Sequence, residues 1–520
     1  MAADNLLNRL PLTAFIIAGA LVLSGCAGAI APDGPQSETF HSVFETIYRE
    51  TAAAHIDPVD LRRFTQAGFQ GIDAFDPALS VTYDDQTFSF TMEDEVVLQQ
   101  DFPPLDAEPE QWGIAAASAV VALRDHSSIA EGARFDDLSE AFFDSALRTL
   151  DRYSRYANPV DARQLRAERT GYGGIGIMVE SGPDGVVITQ VEPSEPATAA
   201  GLIVGDRIVT IDGSDVADLE VPEIEDLLRG PVDTAVVLEI ERASVPEHLT
   251  VAVGRTQIVP NTVFYSLSNN HAVIRISGFN ERTSKRVAEA VGRAFSELGS
   301  DLAGIILDLR GNLGGLLDQA VDTADLFLSE GMISIADGRH PESHQRFAAE
   351  PGEIANGLPI TVLINGASAS AAEILAAALQ DQGRAVLIGM STFGKGSIQT
   401  VIELPNGGEL FLTWARFVAP SGYPLERLGV MPSICTSEAR DAVQTLNDGL
   451  GDGPRGGARL LSERRQVALS DEDAVRASLE DCPWIPHSSG DIDKTLAEML
   501  LDSPTLYRRA VTAGRMRNGS

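Results

Sequence analysis

Cysteine is scarce in this chain: three residues in 520, with no Cys-x-x-Cys, so there is no zinc or thiol-redox signature. Positive charge is also scarce. There are 39 Lys and Arg against 75 Asp and Glu, a formal charge of −36, and such a surface repels a phosphate backbone. Nucleic acid is therefore not an expected partner. The one long apolar run, Leu10 to Leu23, is too short for a comfortable membrane span. The Gly-rich turn that follows Asp308 is not succeeded by Gly-Lys-Ser or Gly-Lys-Thr, which excludes a P-loop. No residue pattern calls for a metal or an organic cofactor. What the chain does have is an ordinary globular share of hydrophobic residues, 44%. At 520 residues it is too long for one core, so about two to four domains are expected.

The stretch from Ile360 to Thr400 organises the rest. Ile360 to Ile364 is short, apolar and β-branched, the pattern of a buried strand. Asn365-Gly366 breaks it, and Ala369 to Leu379 is rich in helix formers with no Gly or Pro. Ser370 thus falls where strand turns into helix, next to backbone N–H groups that have no helical partner. A second buried strand, Ala385 to Ile388, leads to Gly394-Lys395-Gly396, where two glycines permit a tight turn that aims the lysine inward. A serine at a helix start is usually an N-cap, and Gly-Lys-Gly is usually an exposed turn. Together they make a candidate Ser-Lys pair, with a lysine kept neutral by burial as the general base.

Ser-Ala-Ser-Ala-Ala-Glu-Ile followed by Thr-Phe-Gly-Lys-Gly-Ser-Ile-Gln-Thr closely resembles the C-terminal processing proteases, the tail-specific serine peptidases. The resemblance runs from about Thr39 to about Ile434. It implies that Ser370 is the nucleophile, that Lys395, 25 positions on, is the base, and that Gln399 orients the lysine. The acidic residue one turn after the serine also matches, as Glu373. The run Asp308-Leu-Arg-Gly-Asn-Leu-Gly-Gly315 resembles the family's oxyanion turn. It implies an oxyanion hole built from Gly314 or Gly315 together with Ala371, donors that typically contribute ~3 kcal/mol each.

Residues 1–25 read as a signal peptide, and Leu23-Ser24-Gly25-Cys26 resembles a bacterial lipobox. Lipidation of Cys26 and export to the periplasmic face of a bacterial membrane follow as expectations. Ala27 after the cysteine resembles outer-membrane sorting. Residues 26–38 read as a tether, and 39–165 as a mainly helical scaffold with a small hairpin over Val81 to Glu93. Within it, Leu150-Asp-Arg-Tyr-Ser-Arg-Tyr156 is similar to the segment that precedes the PDZ domain in the family.

Residues 170–256 are β-rich and resemble a PDZ domain through Gly-Tyr-Gly-Gly-Ile-Gly-Ile and Gly-Leu-x-x-Gly-Asp-x-Ile. The Tyr172, Gly173, Gly174, Ile175 and Gly176 loop is the expected carboxylate nest, Ile175 to Val179 the edge strand, and Val221 to Leu228 the helix across the groove. Residues 257–435 are the expected Ser-Lys peptidase core, an α/β unit with a crotonase- or Clp-like sheet and helices. Its Asn406-Gly407 pair signals a hairpin, and Tyr423-Pro-Leu-Glu426 departs from the family pattern. Residues 436–520 form a C-terminal extension ending in a helix over Asp491 to Ala513. Cys435 and Cys482 are left able to pair in an oxidising compartment.

The whole reads as a multidomain α+β chain: an endopeptidase acting on exported proteins or peptides with free C-termini, held to a membrane by its lipid anchor. Assembly into a homo-oligomer is left open. The alternatives are an inactive PDZ adaptor, a crotonase-type enzyme, and a Ser-His-Asp hydrolase using His340 or His344, for which no matching Gly-x-Ser-x-Gly motif exists.

Overall fold

The computed structural model describes residues 35–182, 185–193, 195–485 and 491–515. Cys26 and the apolar run before it lie outside these residues. The first described helix, Pro35–Ala54, starts inside the stretch expected as tether, with proline in its first turn, where the missing N–H costs nothing. Phe40, Phe44, Ile47 and Tyr48 are buried on one face, packed against helices Leu61–Phe75, Pro109–Leu123 and Phe135–Arg148. The expected hairpin is a three-stranded antiparallel sheet, Leu79–Tyr83, Thr87–Met92 and Glu95–Asp101. The extra strand follows a turn in which Glu93 and Asp94 both take positive φ, 50° and 70°. That turn lacks the Asn-Gly signature that would have announced it.

The next unit is an antiparallel sheet running Val245–Gly254, Ala235–Arg242, Arg207–Ile211, Gly185–Val191, Ile177–Gly182. Helix Val221–Leu228 lies beside the last, edge strand, with the residue bounds expected from the sequence. Two expectations here are corrected. Tyr172–Gly174 is a short strand rather than a loop, paired with Thr256–Ile258, and the edge strand begins at Ile177 rather than Ile175. The glycines make that possible: a Cβ on Gly173 would sit 2.0 Å from the Gly230 carbonyl oxygen.

The third unit is built on the sheet Val263–Ser268, His271–Ile276, Gly304–Asp308, Ile360–Ile364, Ala385–Gly389, Ile434–Cys435, in that spatial order. The first pair is antiparallel and the rest are parallel. Parallel strands are buried on both faces, which is why they read as unbroken apolar runs. Ile305, Leu307, Ile360, Val362 and Leu387 face helices Thr283–Leu298, Leu317–Asp325 and Ala371–Asp381. Ile306, Leu363, Val386 and Ile388 face the other way, onto Leu446, Leu496, Leu500 and Ala510. The C-terminal extension is thus the second layer of the central sheet. The single terminal helix expected is two, Ile492–Leu501 and Pro504–Gly514, because a proline cannot continue the helical ladder. Cys435 and Cys482 form a disulfide, with Cα atoms 5.9 Å apart, that joins the extension to the last strand of the sheet.

A second sheet, Gln345–Ala348, Met332–Gly338, Glu409–Val418, Ser397–Glu403, carries the hairpin expected at Asn406-Gly407. Arg155–Ala157 from the N-terminal unit pairs with Glu409–Phe411, so the two units share a sheet. Among the described residues no helix is long and apolar enough to cross a membrane.

Candidate active site

Ser370 is the residue just before helix Ala371–Asp381, and its backbone is held at φ 56°, ψ −118°. A non-glycine residue pays about 1–3 kcal/mol for such a conformation, and it persists where the surroundings impose it. Here they do. The Ala369 N–H donates to the Asn312 carbonyl (2.9 Å), and the Ser370 N–H donates to Glu373 Oε2 (2.7 Å). Ser368, the other serine of the motif, is fully buried; its Oγ donates to the Leu309 carbonyl and accepts from the Asn365 N–H. Ser368 therefore builds the turn, while Ser370 is half-buried.

The glycine turn comes within van der Waals reach of the serine. A Cβ on Gly314 would lie 2.9 Å from that of Ser370. Gly314 and Gly315 have φ of 107° and 136°, and a Cβ on Gly315 would strike the Phe279 carbonyl oxygen at 2.1 Å. The Gly314 N–H is already spent on Asn312 Oδ1 (2.8 Å). Among the described residues neither the Gly315 N–H nor the Ala371 N–H has an acceptor. Of the two glycines expected, Gly315 is thus the one with a donor to offer. Asn312, fully buried and bonded to the Ile276 carbonyl, organises this turn; its place between Gly311 and Leu313 gave no signal beyond the motif itself.

Glu373 joins the two halves of the site. It is fully buried, and one carboxylate oxygen accepts from the N–H groups of both Ser370 (2.7 Å) and Lys395 (2.9 Å). The other accepts from Thr392 Oγ1 (2.5 Å) and the Gly394 N–H (2.7 Å). Burial raises the pKa of this carboxyl on balance, with those four donors pulling against it. A site offering only donors to both oxygens is made for a carboxylate.

Lys395 stands on a loop packed against residues 426–429. A Cβ on Gly394 would lie 2.9 Å from the Arg427 carbonyl carbon, and one on Gly396 would lie 2.2 Å from the Glu426 nitrogen, so both flanking glycines are required by close approach. The Lys395 ammonium lies 5.1 Å from the centroid of the Tyr153 ring. No hydrogen bond joins it to Ser370 Oγ among the described residues. Burial lowers the lysine pKa and the Arg155 charge lowers it further, against Glu373, Glu426 and Asp151. A buried ammonium loses hydration, which favours the neutral amine.

The N-terminal unit, expected to be mere scaffold, therefore supplies a wall of the site. Asp151 fixes the loop that carries Tyr153: it accepts from the N–H groups of Tyr153 (2.7 Å) and Ser154 (2.9 Å), and from Thr413 Oγ1 (3.1 Å). Burial would raise the Asp151 carboxyl, but bonds from His55, Ser154 and Tyr153 hold it well below the usual range. Gln399 donates to Ser397 Oγ (3.1 Å) and Thr413 Oγ1 (3.2 Å), with no bond to Lys395 among the described residues. Its link to the lysine is indirect, through Thr413, Asp151 and the Tyr153 loop. His344 is exposed and bonded to Asp337, and His340 accepts from the Glu342 N–H; neither contacts Ser370. Among the described residues there is no cluster of metal ligands.

In the β-rich unit, a cleft of about 30 Å³ lies between the edge strand and the helix, lined by Tyr172, Gly174, Ile175, Gly176 and Arg229 among others. Of the five residues expected as a carboxylate nest, Gly173 does not line it. The Arg229 guanidinium stacks 4.6 Å from the Tyr172 ring centroid and bonds Glu225 (2.9 Å), which places a cation at the cleft that the motif did not announce.

Comparison with known proteins places the chain in a family. Peptidase family S41 matches residues 270–436, and the PDZ domain matches residues 164–241. The chain is 38% identical over 303 residues to the carboxy-terminal-processing protease of Bartonella bacilliformis, covering 58% of this chain and 70% of that one. It is 38% identical over 297 residues to the carboxyl-terminal-processing protease of a Synechocystis species, covering 55% and 68%. Among solved structures, the photosystem II D1 C-terminal processing protease matches with 24% identity and a TM-score of 0.36, covering 77% of this chain and 92% of that one.

Proposed function

The chain belongs to the C-terminal processing proteases and is a serine-type peptidase with a PDZ domain, and on that premise we propose that it cleaves exported proteins near their C-termini with a Ser370–Lys395 dyad. The observation that carries this reading is the single carboxylate oxygen of Glu373 that holds the backbones of Ser370 and Lys395 side by side.

Neutral Lys395 takes the proton of Ser370 Oγ as the oxygen attacks the scissile carbonyl. That transfer requires the two atoms to close to about 2.6–3.2 Å. The N–H groups of Gly315 and Ala371 receive the carbonyl oxygen as it becomes an oxyanion. The C–N bond breaks, the lysine's proton leaves on the amine, and water then releases the acyl group from Ser370. The cleft beside Ile177–Gly182 receives the substrate's free C-terminus as an added strand, with Arg229 and the turn at Gly174 to Gly176 around the carboxylate. Cys26 carries the lipid that keeps the enzyme at the membrane, and since one acyl chain anchors only marginally, several are expected.

A fluorophosphonate probe tests the centre of this reading. Wild-type protein should be labelled on Ser370 and should hydrolyse a tailed peptide, and Ser370→Ala should do neither. Equal labelling of the two proteins would overturn the assignment. Amidating the peptide's C-terminus should slow its cleavage markedly, and equal rates for acid and amide would remove the PDZ cleft from carboxylate capture.

A further inference from the structure

Three large apolar side chains stay exposed around the turn that carries Ser370: Leu313 at 75%, Phe393 at 52% and Trp484 at 55%. They come from three segments, and each segment is tied to that turn. Leu313 lies between Asn312, whose carbonyl accepts from the Ala369 N–H, and Gly314, which abuts Ser370. The Phe393 N–H donates to the Ser368 carbonyl (3.0 Å). Trp484 lies on Gly366, where a Cβ would meet its Cγ at 2.4 Å; only a glycine lets the indole settle there. Exposed apolar surface is costly in water, and side chains anchored to one turn in this way offer a contact site.

Trp484 is the unexpected member. It belongs to the C-terminal extension, outside the 270–436 span of the family match. Its position is set by a clamp. Cys482 is bonded to Cys435, its carbonyl accepts from the Ser391 N–H (3.2 Å), and the Ile485 N–H points at Met390 Sδ (3.3 Å). The arm thus runs alongside residues 390–391, directly before the loop that carries Lys395.

We propose that Trp484, together with Leu313 and Phe393, forms an apolar ledge that holds an apolar side chain of the substrate next to the scissile bond, so that the disulfide-clamped arm sets side-chain preference. The occupant follows from position. The chain that must reach Ser370 is the substrate, and the ledge borders the turn that carries it. This rests on Ser370 being the nucleophile. One methylene more or less in an apolar pocket shifts discrimination by about 10–200-fold.

The test uses a peptide with a free C-terminus whose cleaved bond has been located by mass spectrometry, made with Leu, Phe, Ser or Asp on either side of that bond. For Trp484→Ala the ratio of kcat/KM for the Leu peptide over the Ser peptide should fall about tenfold, mostly through KM. Trp484→Phe should fall part-way. Wild-type protein treated with a thiol reductant should lose discrimination in the same direction as the arm is released. An unchanged ratio in both variants overturns the proposal, and so does equal loss for all four peptides. If Trp484→Ala does not fold, Trp484→Phe and the reduced wild type decide by the same ratio. Failure of the nucleophile reading is visible separately, as absence of fluorophosphonate labelling in the wild type.

Discussion

The serine half and the lysine half of the site are built differently. Ser370 is placed by short-range backbone geometry: a strand end, a strained φ, a buried helix and a glycine turn, all inside one layered core. Lys395 stands on an equally well-packed loop, but the surroundings of its long side chain come from afar. Tyr153 and Asp151 belong to the N-terminal unit, and Glu426 belongs to a later turn. One half is fixed within a single domain, the other by assembly of domains. Changes on the serine side should therefore lower kcat with no shift of the pH profile, and changes on the lysine side should move that profile.

The largest break in the comparison is Lys395→Arg. Arginine keeps the charge and most of the bulk but does not deprotonate at working pH. Activity should fall by about 10⁴-fold, with labelling of Ser370 lost and peptide binding to the PDZ cleft retained. Substantial residual hydrolysis, measured with a fluorogenic tailed peptide, would send the search for a base back to His340 and His344. Next comes Gly315→Ala. The added methyl would sit 2.1 Å from the Phe279 carbonyl oxygen, so the turn must shift and the Gly315 N–H with it. An expected loss of about 10²–10³-fold in kcat, with the pH profile unmoved, is the signature of a lost oxyanion donor. A profile that moved as well would blur the division between the halves.

Glu373→Gln attacks the one group that both halves share. Gln offers one acceptor oxygen where four donors converge, and turns an NH₂ group toward two of them. Leaving buried donors unpaired costs about 1–3 kcal/mol, to be read as a lower denaturation midpoint. Activity should fall on the order of tenfold beyond that, because Ser370 and Lys395 lose their common tether. Unchanged stability would mean that the four bonds carry little.

The same division explains what could be read from the chain alone. Strand, turn, helix and glycine turn are each local patterns, so the elements that carry the proposed site residues Ser370, Ala371 and Gly314–Gly315 were legible, and the family motif pointed to Lys395. The PDZ helix Val221–Leu228 was legible for the same reason. The wall made by Tyr153 was not. Leu150 to Tyr156 has no periodicity that points far ahead to Lys395, and its only local message is a turn stabilised by Asp151. The role of the C-terminal extension was also hidden. Its helices are amphipathic, but nothing local says that their apolar faces cover Ile306, Leu363 and Ile388. Only Cys435 and Cys482, 47 positions apart, hinted that the extension returns to the sheet.

The smallest expected effect sharpens the comparison most, because its sign is diagnostic. Tyr153 acts on Lys395 in two opposed ways. Its ring face attracts the ammonium, which favours the charged form by about 0.5–2 kcal/mol. Its bulk also excludes water, which favours the neutral amine, and burial is the leading cause of the lowered lysine pKa. The other charges around Lys395 are Arg155, which also lowers it, and Glu373, Glu426 and Asp151, which raise it; all four remain when Tyr153 is changed. Tyr153→Ala opens the wall to water. With burial dominant, the lysine pKa should rise back toward its ordinary value. On the proposed mechanism the active form is the neutral amine, so the rising limb of kcat/KM against pH should move to higher pH. Activity near neutrality should then fall, by up to about tenfold for each pH unit that the limb moves. At a pH above the new limb the loss should largely disappear. Tyr153→Phe keeps the ring and should keep the wild-type profile. A limb that moved to lower pH in Tyr153→Ala would mean that the ring's attraction for the cation outweighs its exclusion of water. A limb that did not move, with activity lost equally at every pH, would make Tyr153 a packing residue and leave the lysine as locally determined as the serine.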